Sequence, residues 1–100
     1  MGAVVDIPRP DPPIDVVIEM LEDGPPGNVT VCVHETERCV TLAFSPLNDE
    51  VVGWCVEPEL VERNGLIKAV LGALVHEHGY RLVRHPPGVL ILLPPAAGGA

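Results

Sequence analysis

One hundred residues allow a single small domain, with one core and little apolar material to spare. A net charge of −8 at pH 7, with only six Lys and Arg, argues against a surface built for nucleic acid, because phosphate contacts need clustered cations. Only three residues are aromatic, so the bulk comes from Val, Leu and Ile, which favours strands over a helical bundle.

The charge is unevenly placed. Residues 1–62 carry thirteen acids against Arg9 and Arg38, a net of −11, while residues 63–100 carry Arg63, Lys68, Arg81 and Arg84 against Glu77, a net of +3. Such a split suits a basic protein partner or charge-steered self-association. The three cysteines, Cys32, Cys39 and Cys55, are an odd number, and the opening residues do not read as a signal peptide. The longest apolar run, Val89 to Leu93, is far short of a bilayer span. Together these imply a cytoplasmic protein with reduced thiols and no membrane contact.

Taken in order, residues 1–13 read as a proline-rich flexible arm. Asp11-Pro12-Pro13 looks like a helix start, an N-cap carboxylate with Pro in the first turn. Ile14, Val17, Ile18 and Leu21 then recur at helical spacing, with Asp15, Glu19 and Glu22 on the other side. The expectation is a helix over 14–22. Its rival is a strand, because Val16, Val17 and Ile18 are β-branched. Residues 23–28 have loop chemistry.

Two alternating runs follow, Val29 to His34 and Arg38 to Phe44. A two-residue connection at Thr36-Glu37 would set Val33 across from Val40 and His34 across from Cys39. Val51 to Val56 reads as a third strand, with Val52, Trp54 and Val56 on one face and Gly53 at a bulge or close approach. Pro58 opens a helix that Asn64-Gly65 divides into a short turn and a main segment. Ile67, Val70, Leu71, Leu74, Val75 and His78 would form its buried face, and Gly79 its left-handed end. Tyr80 to Arg84 and Val89 to Leu93 read as a hairpin closed by a type II turn at Pro87-Gly88. Val89 to Leu93 is apolar on both faces, as a central strand or one covered by a second chain would be.

The expected architecture is α+β, an antiparallel sheet of about five strands with helices on one face, in the order α-β-β-β-α-β-β. The single domain would span 14–94, with residues 95–100 a disordered tail. That element order, in a small acidic chain, resembles the class I secretion chaperones. The resemblance implies a homodimer that holds an extended client on apolar patches.

Three sets of residues bear on function. Cys32, His34 and Cys39 share one face of the first hairpin and carry ligand types zinc accepts, with Cys55 or His78 as a fourth. The same Cys39–His34 pair could activate a thiolate. His76 and His78 lie two apart on a helix, so their imidazoles diverge rather than chelate. Gly65, Ala69, Gly72 and Ala73 make a small-residue line suited to a helix–helix seam or to tight packing on the sheet. With Leu90 and Leu92 they are the expected dimer interface.

For catalysis the inventory is thin. Ser45 is the only serine, and there is no phosphate-binding glycine loop. The expected function is a non-enzymatic, cofactor-free protein-binding module, adaptor- or chaperone-like. The alternatives are a phage- or plasmid-type inhibitor whose acidic surface blocks a basic, nucleic-acid-binding site, and the metal- or thiol-dependent site.

Overall fold

The computed structural model describes residues 3–20, 28–46, 52–85 and 88–95. Strands β1 (Ala3–Val4), β2 (Val16–Met20), β3 (Asn28–Val33), β4 (Cys39–Pro46) and β5 (Val52–Val56) precede helices α1 (Pro58–Arg63) and α2 (Gly65–Glu77). Strands β6 (Arg81–His85) and β7 (Val89–Leu93) end the series. All neighbouring strands are antiparallel in one sheet of order β1-β6-β7-β5-β4-β3-β2. The fold is α+β as expected, with six strands of five or more residues and a two-residue strand at one edge.

The first expected helix is a strand. β2 pairs with β3 from Val16↔Val33 to Met20↔Val29. Its β-branched run decides the matter, since such side chains lose rotamer freedom in a helix and fit a pleated surface. Val16 is buried and Val17 exposed, the alternation of a strand rather than the i, i+3, i+4 face of a helix. The element order is therefore not that of the secretion chaperones, and the resemblance that stood on it lapses.

The β3–β4 hairpin keeps its expected faces but shifts register by two residues. Cys32 lies across from Cys39 and Val31 across from Val40. The connection is longer than expected. Thr36 N–H donates to the Val33 carbonyl at 3.2 Å, and Glu35 between them has φ +60°. That closes a turn with its left-handed residue at the third position. The Thr36 hydroxyl donates to the same carbonyl at 2.9 Å. A shift of two preserves side-chain parity, so Val29, Val31 and Leu42 still point into the core.

Asn64 separates the two helices and caps the second. Its Oδ1 accepts from the N–H groups of Leu66 at 3.0 Å and Ile67 at 3.3 Å. Ile67, Val70, Leu71 and Leu74 of α2 are buried on the sheet against Trp54, Leu82, Leu90 and Leu92. His78, expected on that face, is exposed beyond the helix end. Gly79 takes φ +76°, and Tyr80 N–H returns to the Leu74 carbonyl at 3.1 Å. β7 is central, between β5 and β6. Gly88 has φ +80°, as the third residue of a type II turn requires; its expected partner Pro87 lies outside the described residues.

Strands β1 and β2 sit at opposite edges of the sheet, so residues 5–15 must cross its helical side. They do so over α2. Ile7 is buried, and its carbonyl accepts from His76 Nε2 at 2.6 Å. Arg9 Nε lies 3.3 Å from Glu77 Oε1. Gly72 is the crossing point: a Cβ there would stand 2.5 Å from the Pro8 carbonyl oxygen and 3.1 Å from Pro10 Cδ. The segment expected as a flexible arm is thus a strap, and α2 is enclosed between strap and sheet. Gly53 makes the other close approach, its Cβ position 2.6 Å from Ile91 Cγ2.

Gly→Ala inside a helix ordinarily gains about 1 kcal/mol. Gly72→Ala is expected instead to lose about 1–3 kcal/mol through overpacking against the strap, read from the urea midpoint. Gly65→Ala, with nothing within 4 Å of its Cβ position, should be neutral or slightly stabilising. Burial also pushes the Tyr80 phenol up from its ordinary value. The stability that comes from keeping it neutral is full below the unfolded pKa of about 10 and is lost as pH rises through the raised value. Tyr80→Phe should flatten the alkaline arm of a stability–pH profile.

Candidate functional site

The structure removes the expected metal and thiol site. Cys32 and Cys39 are joined by a disulfide, leaving neither a thiolate ligand nor a nucleophile. The local reason is the register. Val33 N–H donates to the Arg38 carbonyl, so the next pair inward, Cys32 and Cys39, is a non-hydrogen-bonded pair, where side chains come closest. His34 lies in the exposed turn, with its Nε2 3.7 Å from Glu35 Oε1. Cys55 stays free on β5, opposite Ala43 and Ile91. The expectation of reduced thiols thus fails for two of the three cysteines. Among the described residues no cluster of His, Cys, Asp and Glu could hold a metal ion.

Four of the six residues expected at a dimer seam are used within the chain, while Gly65 is exposed and Ala69 partly so. Leu90 and Leu92 are 3% and 0% exposed beneath α2, and Ala73 is 0% exposed. Gly65, Ala69 and Gly72 lie about half a turn from the sheet-facing side of α2, and the chain's own strap lies over Gly72. The small-residue line does admit a second backbone closely, but that backbone is residues 8–10 of the same chain. Neither a helix–helix seam nor packing on the sheet describes it.

One of the clefts left open beside α2 has a volume of about 420 Å³. Ile14, Val33, Leu66 and Ala69 give it apolar walls, and Arg38, Arg63, Thr36 and Asn64 give it polar ones. It brings together two of the six cations of an acidic chain. The N–H groups of Leu66 and Ile67 are already turned to Asn64 Oδ1, so the start of α2 is not a vacant anion cradle.

Among the described residues two features have unmet bonding capacity, the buried Trp54 Nε1 and the outer edge of β2. His34 N–H donates to the Asp15 carbonyl at 2.7 Å. Antiparallel alternation then turns the backbone groups of Asp15, Val17 and Glu19 inward to β3, and those of Val16, Ile18 and Met20 outward. The Val33–Arg38 bond on the other side of β3 has the matching parity. Among the described residues nothing pairs with that outward row, since β2 ends the sheet. Val17 is 43% exposed beside it, and Asp15 and Glu19 are exposed. The opposite edge differs: there β1 covers β6 at Val83 and Arg84, and Val5 N–H reaches the Leu82 carbonyl at 2.7 Å.

No family model, curated protein or solved structure matches the chain.

The helical spacing of Ile14, Val17, Ile18 and Leu21 hides the β2 edge in the sequence. The β-branched trio Val16-Val17-Ile18, with neither Pro nor Lys within the strand, was the available signal. A thiol count on unfolded but unreduced protein should find one reactive group, Cys55, and three after reduction. Three before reduction would mean the Cys32–Cys39 bond does not form in solution.

Proposed function

We propose that this protein is a non-enzymatic binding module that recognises other polypeptide by strand addition at the β2 edge. The observation that carries the reading is the outward row of Val16, Ile18 and Met20 backbone groups at the end of an otherwise paired sheet. An extended peptide can complete such a row, with main-chain bonds supplying affinity and alternate side chains supplying selectivity. The disulfide holds β3 and β4 together directly behind it, so the edge is presented on a braced hairpin. An adaptor role follows from this surface rather than from the helix line first expected to form it.

The acidic decoy is the second reading. Asp15, Glu19, Glu35 and Glu37 are all exposed at or beside the β2 end of the sheet, which would draw a basic partner. Salt separates the two. Strand addition rests on short-range backbone bonds and survives ~1 M salt, whereas attraction through exposed carboxylates is screened within about 3 Å there.

The test is binding of an extended peptide of alternating Thr and Val, followed by amide chemical shifts. Shift changes are expected to centre on Val16 to Met20 and fade across β3. Changes centred on the Arg38–Arg63 cleft, or no binding at any salt, would remove the edge as the working surface.

A further inference from the structure

We propose that the cleft lined by Arg38 and Arg63 binds a small amphiphilic carboxylate. Its head lies at the two guanidinium groups and its apolar tail runs between α2 and the strap. This site is separate from the β2 edge and does not depend on it.

The lining selects the sign of the ligand. The chain carries fourteen acids against six Lys and Arg, yet the described lining of the 420 Å³ cleft holds two guanidinium groups and no carboxylate. Arg38 comes from the β3–β4 turn and Arg63 from the last turn of α1. Among the described residues ion pairs join Arg9 to Glu77 and His34 to Glu35, and neither of these two guanidinium groups is in one. The other polar side chains of the lining point to the same class. Asn64 accepts through Oδ1 from Leu66 and Ile67, so its amide NH2 is left to donate. The Thr36 hydroxyl is already engaged, donating to the Val33 carbonyl at 2.9 Å and accepting from Arg38 N–H at 3.1 Å. A lining with donors to offer and its side-chain acceptors engaged is complementary to an anion.

The walls select the rest of the ligand. Ile14, Val33, Leu66 and Ala69 are partly buried and make the cleft apolar away from its cations. A second cleft of about 320 Å³ shares Ile14, Gly65 and Ala69 with the first and adds Pro8, Pro10 and Pro12 of the strap. Nothing lies within 4 Å of a Cβ position at Gly65, so the floor common to both clefts is open to one continuous tail. In the second cleft Arg9 is paired with Glu77, and Lys68 is offset by Asp11. The charged head therefore belongs in the first. Volumes of this size stand at the low end of sites that take small molecules, which suits a short chain. Glu35, Glu37 and Glu62 are exposed and next in sequence to lining residues, so a second negative charge is penalised. That favours a singly charged carboxylate over a phosphate.

The test is titration of the full chain with sodium octanoate, below its micelle concentration, followed by amide chemical shifts. Acetate and 1-octanol serve as head-only and tail-only controls. Saturable octanoate binding is expected, with shifts centred on Val33, Thr36, Gly65 and Ala69 and both controls weaker by about tenfold or more. From butanoate through hexanoate to octanoate, affinity should rise roughly two- to fourfold per added CH2. Arg38→Gln and Arg63→Gln, both at exposed positions, should each weaken octanoate a few-fold. Arg84→Gln removes the same charge outside both clefts and should leave octanoate binding unchanged. Gly65→Leu should close the path of the tail and bring octanoate down to the level of acetate. Absence of saturable binding, shifts centred elsewhere, or octanol binding as tightly as octanoate would overturn the proposal. So would an equal loss from all three arginine variants, or a Gly65→Leu variant that binds octanoate unimpaired.

Discussion

The passage of the N-terminal strap over α2 is the constraint on which the rest of the fold depends. Because β1 and β2 lie at opposite edges of one sheet, their connection must cross the helical side. The route taken runs over the helix itself and buries Ile7. Gly72 permits it, since any side chain at that position would meet the Pro8 carbonyl. Ile7, Arg9 and His76 then hold the strap by burial, an ion pair and a hydrogen bond. A helix so enclosed is apolar on one side for the sheet and small on the other for the chain. That is why Val70, Ala73 and Leu74 are all 0% exposed.

This enclosure also moves the working surface. Where the strap crosses at Gly72 the helix is covered on both sides, while Gly65 stays exposed, and Leu90 and Leu92 lie beneath the helix. Exposed opportunity is displaced to the sheet margin, where strand order leaves β2 without an outer neighbour among the described residues. The disulfide contributes at the same place. It spans a non-hydrogen-bonded pair of β3 and β4, so it braces the hairpin that β2 leans on while removing two thiols from any other chemistry. Charge acts at longer range. Asp15, Glu19, Glu35 and Glu37 make that end of the sheet acidic, a surface that would attract a basic partner.

The failures of sequence reasoning share one cause. Ile14, Val17, Ile18 and Leu21 satisfy helical spacing, and Val16, Ile18 and Met20 satisfy strand spacing, so periodicity could not choose between them. The β-branched trio could, and the β3 edge confirmed it by pairing along all five residues. In the first hairpin, parity was legible and register was not. Alternating valines specify which face is inside, but a slip of two residues leaves that face unchanged. The slip moved His34 from opposite Cys39 into the turn and put Cys32 in its place, turning an apparent ligand cluster into a disulfide.

By itself the sequence determined what is local. The sheet-facing stripe of α2, the break at Asn64-Gly65, the left-handed Gly79, the close approach at Gly53 and the central character of β7 all follow from neighbouring residues in one segment. Tertiary structure alone decided what depends on a second segment: that β2 is a strand, that the arm is a strap, that this strap crosses the small-residue line at Gly72, and which edge stays open. The physical reason is that spacing along the chain fixes which side chains share a face. Only packing fixes what that face meets.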